Sequence, residues 1–138
     1  MLYKNKYGAT LAEMLVVLLI LAILVALTLP QFNTLRERGL AREAKANLKL
    51  ISVAEKIYRM RLATYYPSSD WTDNNPTTIS TFLKVNITQT NWLYSIAGGA
   101  DTFTAYADRN GTGGYFDCVY SVTTSSTDSE PTANSACP

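Results

Sequence analysis

The chain divides by its pattern of apolar and polar positions into a membrane-like run, an amphipathic stretch and a tail of short alternating segments. Between Met14 and Leu35 there are 22 positions without a charge. As a helix this run would cover ~33 Å, enough for the ~30 Å hydrocarbon core of a bilayer. Its strongly apolar part, Met14 to Leu29, has only 16 residues. To span comfortably the helix must draw in Ala9 to Ala12, which brings Glu13 to the membrane boundary. A carboxylate there is costly unless paired or neutralised, and so marks function. The plainer alternative leaves Glu13 among the lipid headgroups. Pro30 lacks an N–H and crowds the preceding turn, so a bend is expected within a continuous helix rather than a stop.

From Phe32 to Leu62 the period stays helical. Leu40, Ala44, Leu48, Ile51, Ala54, Tyr58 and Leu62 recur at three- and four-residue steps and form one apolar stripe. Gly39 is a soft spot in that helix. Tyr65-Tyr66-Pro67 breaks the pattern, and residues 63–90 read as a connecting loop, with Asn74-Asn75-Pro76 a turn signal. Within it, Ile79 to Val85 is expected as a short helix or turn carrying Phe82 and Leu83 inward. Strands are expected over Trp92–Ala97, Thr102–Ala107 and Tyr115–Val122, with turns at Gly98-Gly99 and at Arg109 to Gly114, where Asn110-Gly111 tolerates positive φ. Residues 123–138, rich in Ser, Thr, Asp and Pro, read as a surface loop. The predicted class is α+β, a long N-terminal helix packed on an antiparallel sheet of three or four strands.

Charge changes this picture through its distribution. Net charge is +1, yet residues 36–61 hold eight Lys/Arg against three Glu, and residues 63–138 hold two against seven Asp/Glu. A basic stalk and an acidic head suit staggered packing of like subunits, and equally suit two separately solvated faces. The basic face is a poor nucleic-acid site, since no aromatic side chain interleaves with it before Tyr58. No histidine is present, which removes the usual general base, the Ser/His/Asp and Cys/His arrangements and the common zinc sites. No cofactor is implied. Asp101, Asp108, Asn110 and Asp117 are weak calcium candidates around two turns, but their spacing is not that of an EF-hand. Asn86-Ile87-Thr88 and Asn110-Gly111-Thr112 match the glycosylation acceptor pattern. Cys118 and Cys137 are the only cysteines. An exported chain meets an oxidising compartment, where one disulfide is the default and two buried free thiols the alternative.

Three readings compete for residues 1–30. A removable secretory signal requires a small-residue cut site after the apolar run, and Ala-x-Ala is absent near Leu27 to Gln31. A plain signal anchor accounts for Lys4 and Lys6 on the cytoplasmic side but not for Gly8 or Glu13. The third reading is a leader cut on the N-terminal side of the apolar run. Gly8-Ala9-Thr10-Leu11-Ala12-Glu13-Met14-Leu15-Val16 resembles the class III signal of type IV pilins and of type II secretion pseudopilins. The chain departs from that family's commonest pattern in Ala9, where phenylalanine is usual, and in Ala12, where a larger aliphatic residue is usual.

That resemblance implies a cut after Gly8 by prepilin peptidase, methylation of the new amine at Ala9, and a glutamate at the fifth mature position, Glu13. It also places a proline at mature position 22, Pro30. It divides the chain into a leader (1–8), a transmembrane and polymerisation helix (9–30) and a globular domain (31–138) made of amphipathic helix 31–62, loop 63–90 and sheet with C-terminal disulfide loop 91–138. The implied function is structural rather than enzymatic: a subunit of an extracellular type IV pilus, held first in the bacterial inner membrane and its lipid. Its partners would be copies of itself, prepilin peptidase and the inner-membrane assembly machinery, with Glu13 pairing with the Ala9 amine of a neighbour. A type II secretion pseudopilin is the alternative, and a single-pass anchored binding domain a more distant one.

Overall fold

A computed structural model describes residues 10–111, 115, 117–124 and 130–138, and the side chains among these except 28–31. The chain forms two compact units, Met1–Arg36 and Glu37–Pro138. The first helix, α1 (Leu11–Leu62), runs without interruption past Pro30 and Gly39. Leu, Ala, Glu, Lys and Arg, all good helix formers, dominate it, and Arg59 and Arg61 in its last turn face the negative end of the helix dipole. It stops where Ala63 turns left-handed at φ 59°, with the Ala63 N–H still bonded to the Arg59 carbonyl at 2.8 Å.

In the second unit α1 packs on a five-stranded antiparallel sheet whose strands lie in chain order. These are β1 (Trp71–Asp73), β2 (Trp92–Gly98), β3 (Phe103–Arg109), β4 (Val119–Thr123) and β5 (Thr132–Ala133). Register pairs Trp92 with Arg109 and Gly98 with Phe103, so alternate residues of β2 and β3 share a face. The inward set, Trp92, Tyr94, Ile96, Phe103, Ala105, Ala107, Tyr120 and Val122, meets Ala41, Ala44, Leu48, Ile51 and Ala54 of α1. The sequence-based α+β arrangement is therefore the observed one.

Polar ties fix the helix on the sheet. The Trp92 indole N–H donates to the Leu40 carbonyl at 2.9 Å, and the Asn47 amide donates to the Tyr94 hydroxyl at 2.8 Å. Arg109 forks onto both Glu37 oxygens at 3.1 and 3.0 Å and lies over the Trp92 ring. Because this pair is largely withdrawn from solvent, with 11% and 18% of the side chains exposed, its bidentate geometry counts for more than that of a surface pair.

Several expectations are corrected here. Residues 63–90 hold, besides a helix α2 (Pro76–Leu83) that overlaps the short helix or turn expected over Ile79 to Val85, an unexpected strand, β1. Asn75-Pro76 does not make a turn but starts α2, the Asn75 side chain accepting from the Thr77 N–H at 2.9 Å and Pro76 occupying the first turn. Leu83 points inward, whereas Phe82 is half exposed. Leu62 leaves the apolar stripe and is exposed, because the stripe loses its sheet partner at the helix end. The sheet has five strands rather than three or four, since β1 and β5 are too short to show alternation. The third expected strand begins at Val119, not Tyr115.

Cys118 and Cys137 are joined, with Cα atoms 4.6 Å apart. The bridge ties the tail to the start of β4, where the Asn134 side chain also accepts from the Val119 N–H and donates to the Asp117 carbonyl. A loop of this length is worth ~3 kcal/mol. Reduction is expected to lower the unfolding free energy of the sheet unit, read from chemical denaturation, by that amount; an unchanged unfolding free energy in reductant would contradict it.

Candidate functional site

The first turn of α1 is built by Thr10 and Glu13. The Glu13 N–H donates to Thr10 Oγ1 at 3.3 Å, while Glu13 Oε2 accepts from the Thr10 N–H at 2.7 Å and from the Thr10 hydroxyl at 3.2 Å. This reciprocal arrangement is a capping box, which satisfies amide donors that a helix start otherwise leaves unpaired. The carboxylate also sits at the positive end of the helix dipole. The pattern Thr10-Leu11-Ala12-Glu13 before an apolar run is the sequence signal for it, a signal that the hydropathy reading passes over. Glu13 is thus held by its own helix start. The bonds use the Thr10 amide and side chain, so a cut between Gly8 and Ala9 leaves the box intact.

Behind the cap, every large apolar side chain from Leu11 to Leu27 is 51–79% exposed. By length and composition this is a helix able to cross a membrane, and among the described residues none of its apolar window is buried. Gly8 and Ala9 lie outside the described residues, as does the side chain of Pro30; the backbone at Pro30 is helical.

Residues 3–29 match the family described as the prokaryotic N-terminal methylation motif. This segment is the class III signal peptide of type IV pilins and pseudopilins. Such a motif is the kind that prepilin peptidase processes in pilins and pseudopilins, and the apolar helix behind it fits an inner-membrane precursor. It spans the basic leader, the capping box and most of the exposed apolar helix, so motif and geometry coincide. No curated protein and no solved structure matches the chain.

The weak calcium candidates do not come together. Asp101 is exposed with a carboxylate oxygen 3.8 Å from Arg59, Asp108 lies on β3 and Asp117 is exposed before β4. Among the described residues no three acidic, cysteine or histidine side chains form a group. Asn86 and Asn110 are exposed, and Thr112 of the second acceptor pattern lies outside the described residues.

Sequence reasoning missed two buried acids. Glu55 on the core side of α1 is fully buried; its Oε2 accepts from the Tyr66 N–H at 2.9 Å, and its Oε1 has no partner among the described residues. Burial pushes this carboxyl from 4.5 up to about 7, against the lowering effect of the Tyr66 bond. Asp73 closes β1. Its Oδ2 accepts from the Tyr66 and Thr78 hydroxyls, each at 2.6 Å, and its Oδ1 from the Asn75 N–H at 2.9 Å. Burial alone would raise Asp73, but the bonds from Thr78, Tyr66 and Asn75 hold it below the ordinary carboxylate value. Together Glu55 and Asp73 grip Tyr66, whose ring stacks on Phe82, and so anchor residues 63–83 to α1.

Proposed function

We propose that this chain is the structural subunit of an extracellular type IV pilus: cut after Gly8, methylated at the Ala9 amine, and polymerised through its N-terminal helix. The reading rests on one observation above all. A helix that carries the methylation motif leaves its apolar side chains exposed over Leu11–Leu27. Such a surface is stable in lipid before assembly, and against copies of itself afterwards.

The lone carboxylate sets the register. In the precursor the capping box holds Glu13. In the polymer Glu13 pairs with the Ala9 amine of a neighbouring copy, which compensates both buried charges at one axial position. Helical continuity past Pro30 is kept while the subunit is in the membrane and loosens there as it enters the filament, because proline leaves that turn one hydrogen bond short. The Cys118–Cys137 bridge fastens the C-terminal tail and suits a domain held outside the cytoplasm in an oxidising compartment.

The test is intact mass and N-terminal sequencing of the chain from membranes and from sheared surface material. The expected species begins at N-methylated Ala9, carries one disulfide and is recovered in the sheared fibres. The same species confined to the periplasm, without fibres, would assign it to a type II secretion pseudopilin. An uncut chain starting at Met1 would end the reading.

A further inference from the structure

At the end of the sheet where Gly98-Gly99 leads from β2 towards β3, Asp70, Trp71, Thr72, Thr102 and Thr104 line an open cleft of ≈ 320 Å³. That volume lies at the small end of the range for ligand pockets. Between β1 and β3, the lining residues Ala97 and Gly98 of β2 contribute no more than a methyl group. Register sets Thr72 opposite Ala97 and Ala97 opposite Thr104, so two hydroxyls flank an alanine on the face turned away from α1. Two strand spacings put them about 10 Å apart, the width of one sugar ring with a hydrogen bond at each side. Trp71 pairs with Gly98, which has no side chain to cover the indole, and it is 48% exposed. Its ring is braced edge-on by Tyr66, 6.4 Å between centroids, and Tyr66 is fixed in turn by Asp73. A Cβ at Gly99 would stand 2.5 Å from Asp70 Oδ1, so a glycine there is what lets the carboxylate lie against the turn. Among the described residues, neither that carboxylate nor the hydroxyls of Thr72, Thr102 and Thr104 has a hydrogen-bond partner within the protein.

We infer that this cleft binds a neutral glycan, one hexose ring lying against Trp71 with its hydroxyls on Asp70 and the threonines. The chemistry of the lining selects the ligand. The C–H face of a pyranose is apolar and packs on an indole, while the hydroxyls around its edge need both donors and acceptors. Threonine hydroxyls supply both, and the Asp70 carboxylate accepts from two neighbouring sugar hydroxyls in the stronger, charge-assisted way. An anion is a poor fit, because no Lys or Arg lines the cleft and Asp70 would repel it. A cation would use Trp71 and Asp70 but leave three hydroxyls idle. Ser95 and Tyr106, paired one step further along the same face, offer hydroxyls to a second and third sugar unit. The cleft is complete within one copy of the chain, so the inference does not depend on polymerisation.

Tryptophan emission reads the cleft directly. Trp71 and Trp92 are the only tryptophans, and Trp92 is buried. The full chain, in a detergent without sugar headgroups, is titrated with soluble oligosaccharides of glucose, galactose, mannose and N-acetylglucosamine. At least one series is expected to shift or quench the emission, three units binding more tightly than one. Calorimetry on variants then assigns the site. Trp71→Ala and Asp70→Asn are each expected to weaken binding about tenfold. Thr104→Val keeps the shape of the strand and removes a single hydroxyl, so melting stays unchanged while affinity falls about fivefold. Silence across all four series would overturn the inference. So would wild-type affinity in folded Asp70→Asn and Thr104→Val, or saturation by choline or a trilysine peptide with no response to sugars. None of these outcomes touches the pilus reading, which is decided by processing and fibre recovery.

Discussion

Glu13→Ala is expected to leave residues 37–138 folded and to empty the polymer of the variant chain. Two effects separate by size. Loss of the capping box costs roughly 0.5–2 kcal/mol at the helix start, which a helix stabilised by lipid on all sides tolerates. In the proposed polymer the substitution would strand the neighbouring Ala9 amine in an apolar bundle, at roughly 3–5 kcal/mol for a broken buried pair, or about a hundredfold or more in subunit affinity. Glu13→Gln discriminates between the two. Glutamine still completes the box by accepting from the Thr10 N–H, but it cannot neutralise an amine. Quantifying sheared fibres from cells carrying each variant is the check. Fibres restored by glutamine would show that capping, not charge pairing, is what assembly needs from this position.

Stability that falls as pH rises is the second large effect expected, and Glu55 is its source. The folded state holds this carboxyl neutral up to about 7, whereas its ordinary value is 4.5. Its contribution is therefore complete below pH 4.5, declines as the unfolded chain ionises, and is gone once pH passes 7. The displacement corresponds to ~3 kcal/mol across that window. Asp73 acts with the opposite sign: its value is lowered, so its contribution holds above its ordinary value of 3.8 and fades as pH falls further. A maximum near pH 4–5 follows, measured as denaturation midpoints of the full chain in detergent. Glu55→Gln should keep the Tyr66 N–H bond through its amide oxygen and flatten the decline between pH 4.5 and 7. An unchanged slope in that variant would remove Glu55 as the cause.

The long elements were legible in the sequence because their periods run for many residues. Leu48, Ile51 and Ala54 mark the core face of α1, and the alternation in Phe103, Ala105 and Ala107 marks β3. Short elements were not. Trp71–Asp73 is too brief to show a period, and Asn75-Pro76 suits a turn as well as a helix start until the Thr77 N–H is seen to find Asn75. Glu55 carries no mark of its burial in the sequence, because burial of an acid depends on a partner beyond its own helix, the Tyr66 amide. Around Glu13, position and apolar surroundings were readable, and the cap was written in Thr10-x-x-Glu13, but what the carboxylate meets in a polymer lies between chains.

The strand order of the sheet bears on how such a domain forms outside a membrane. Every strand from β2 onward pairs with the strand that precedes it in the chain, so no pairing waits for a segment synthesised later to be threaded between earlier ones. A chain translocated from its N-terminal end delivers the core face of α1 first, then each strand to an edge already in place. Local closure of this kind favours fast folding. Cys137 follows β5 in the chain, and its bridge returns to Cys118 at the start of β4, so it encloses the β4–β5 pairing. The bridge thus adds a covalent closure around an edge pairing that hydrogen bonds alone would otherwise hold.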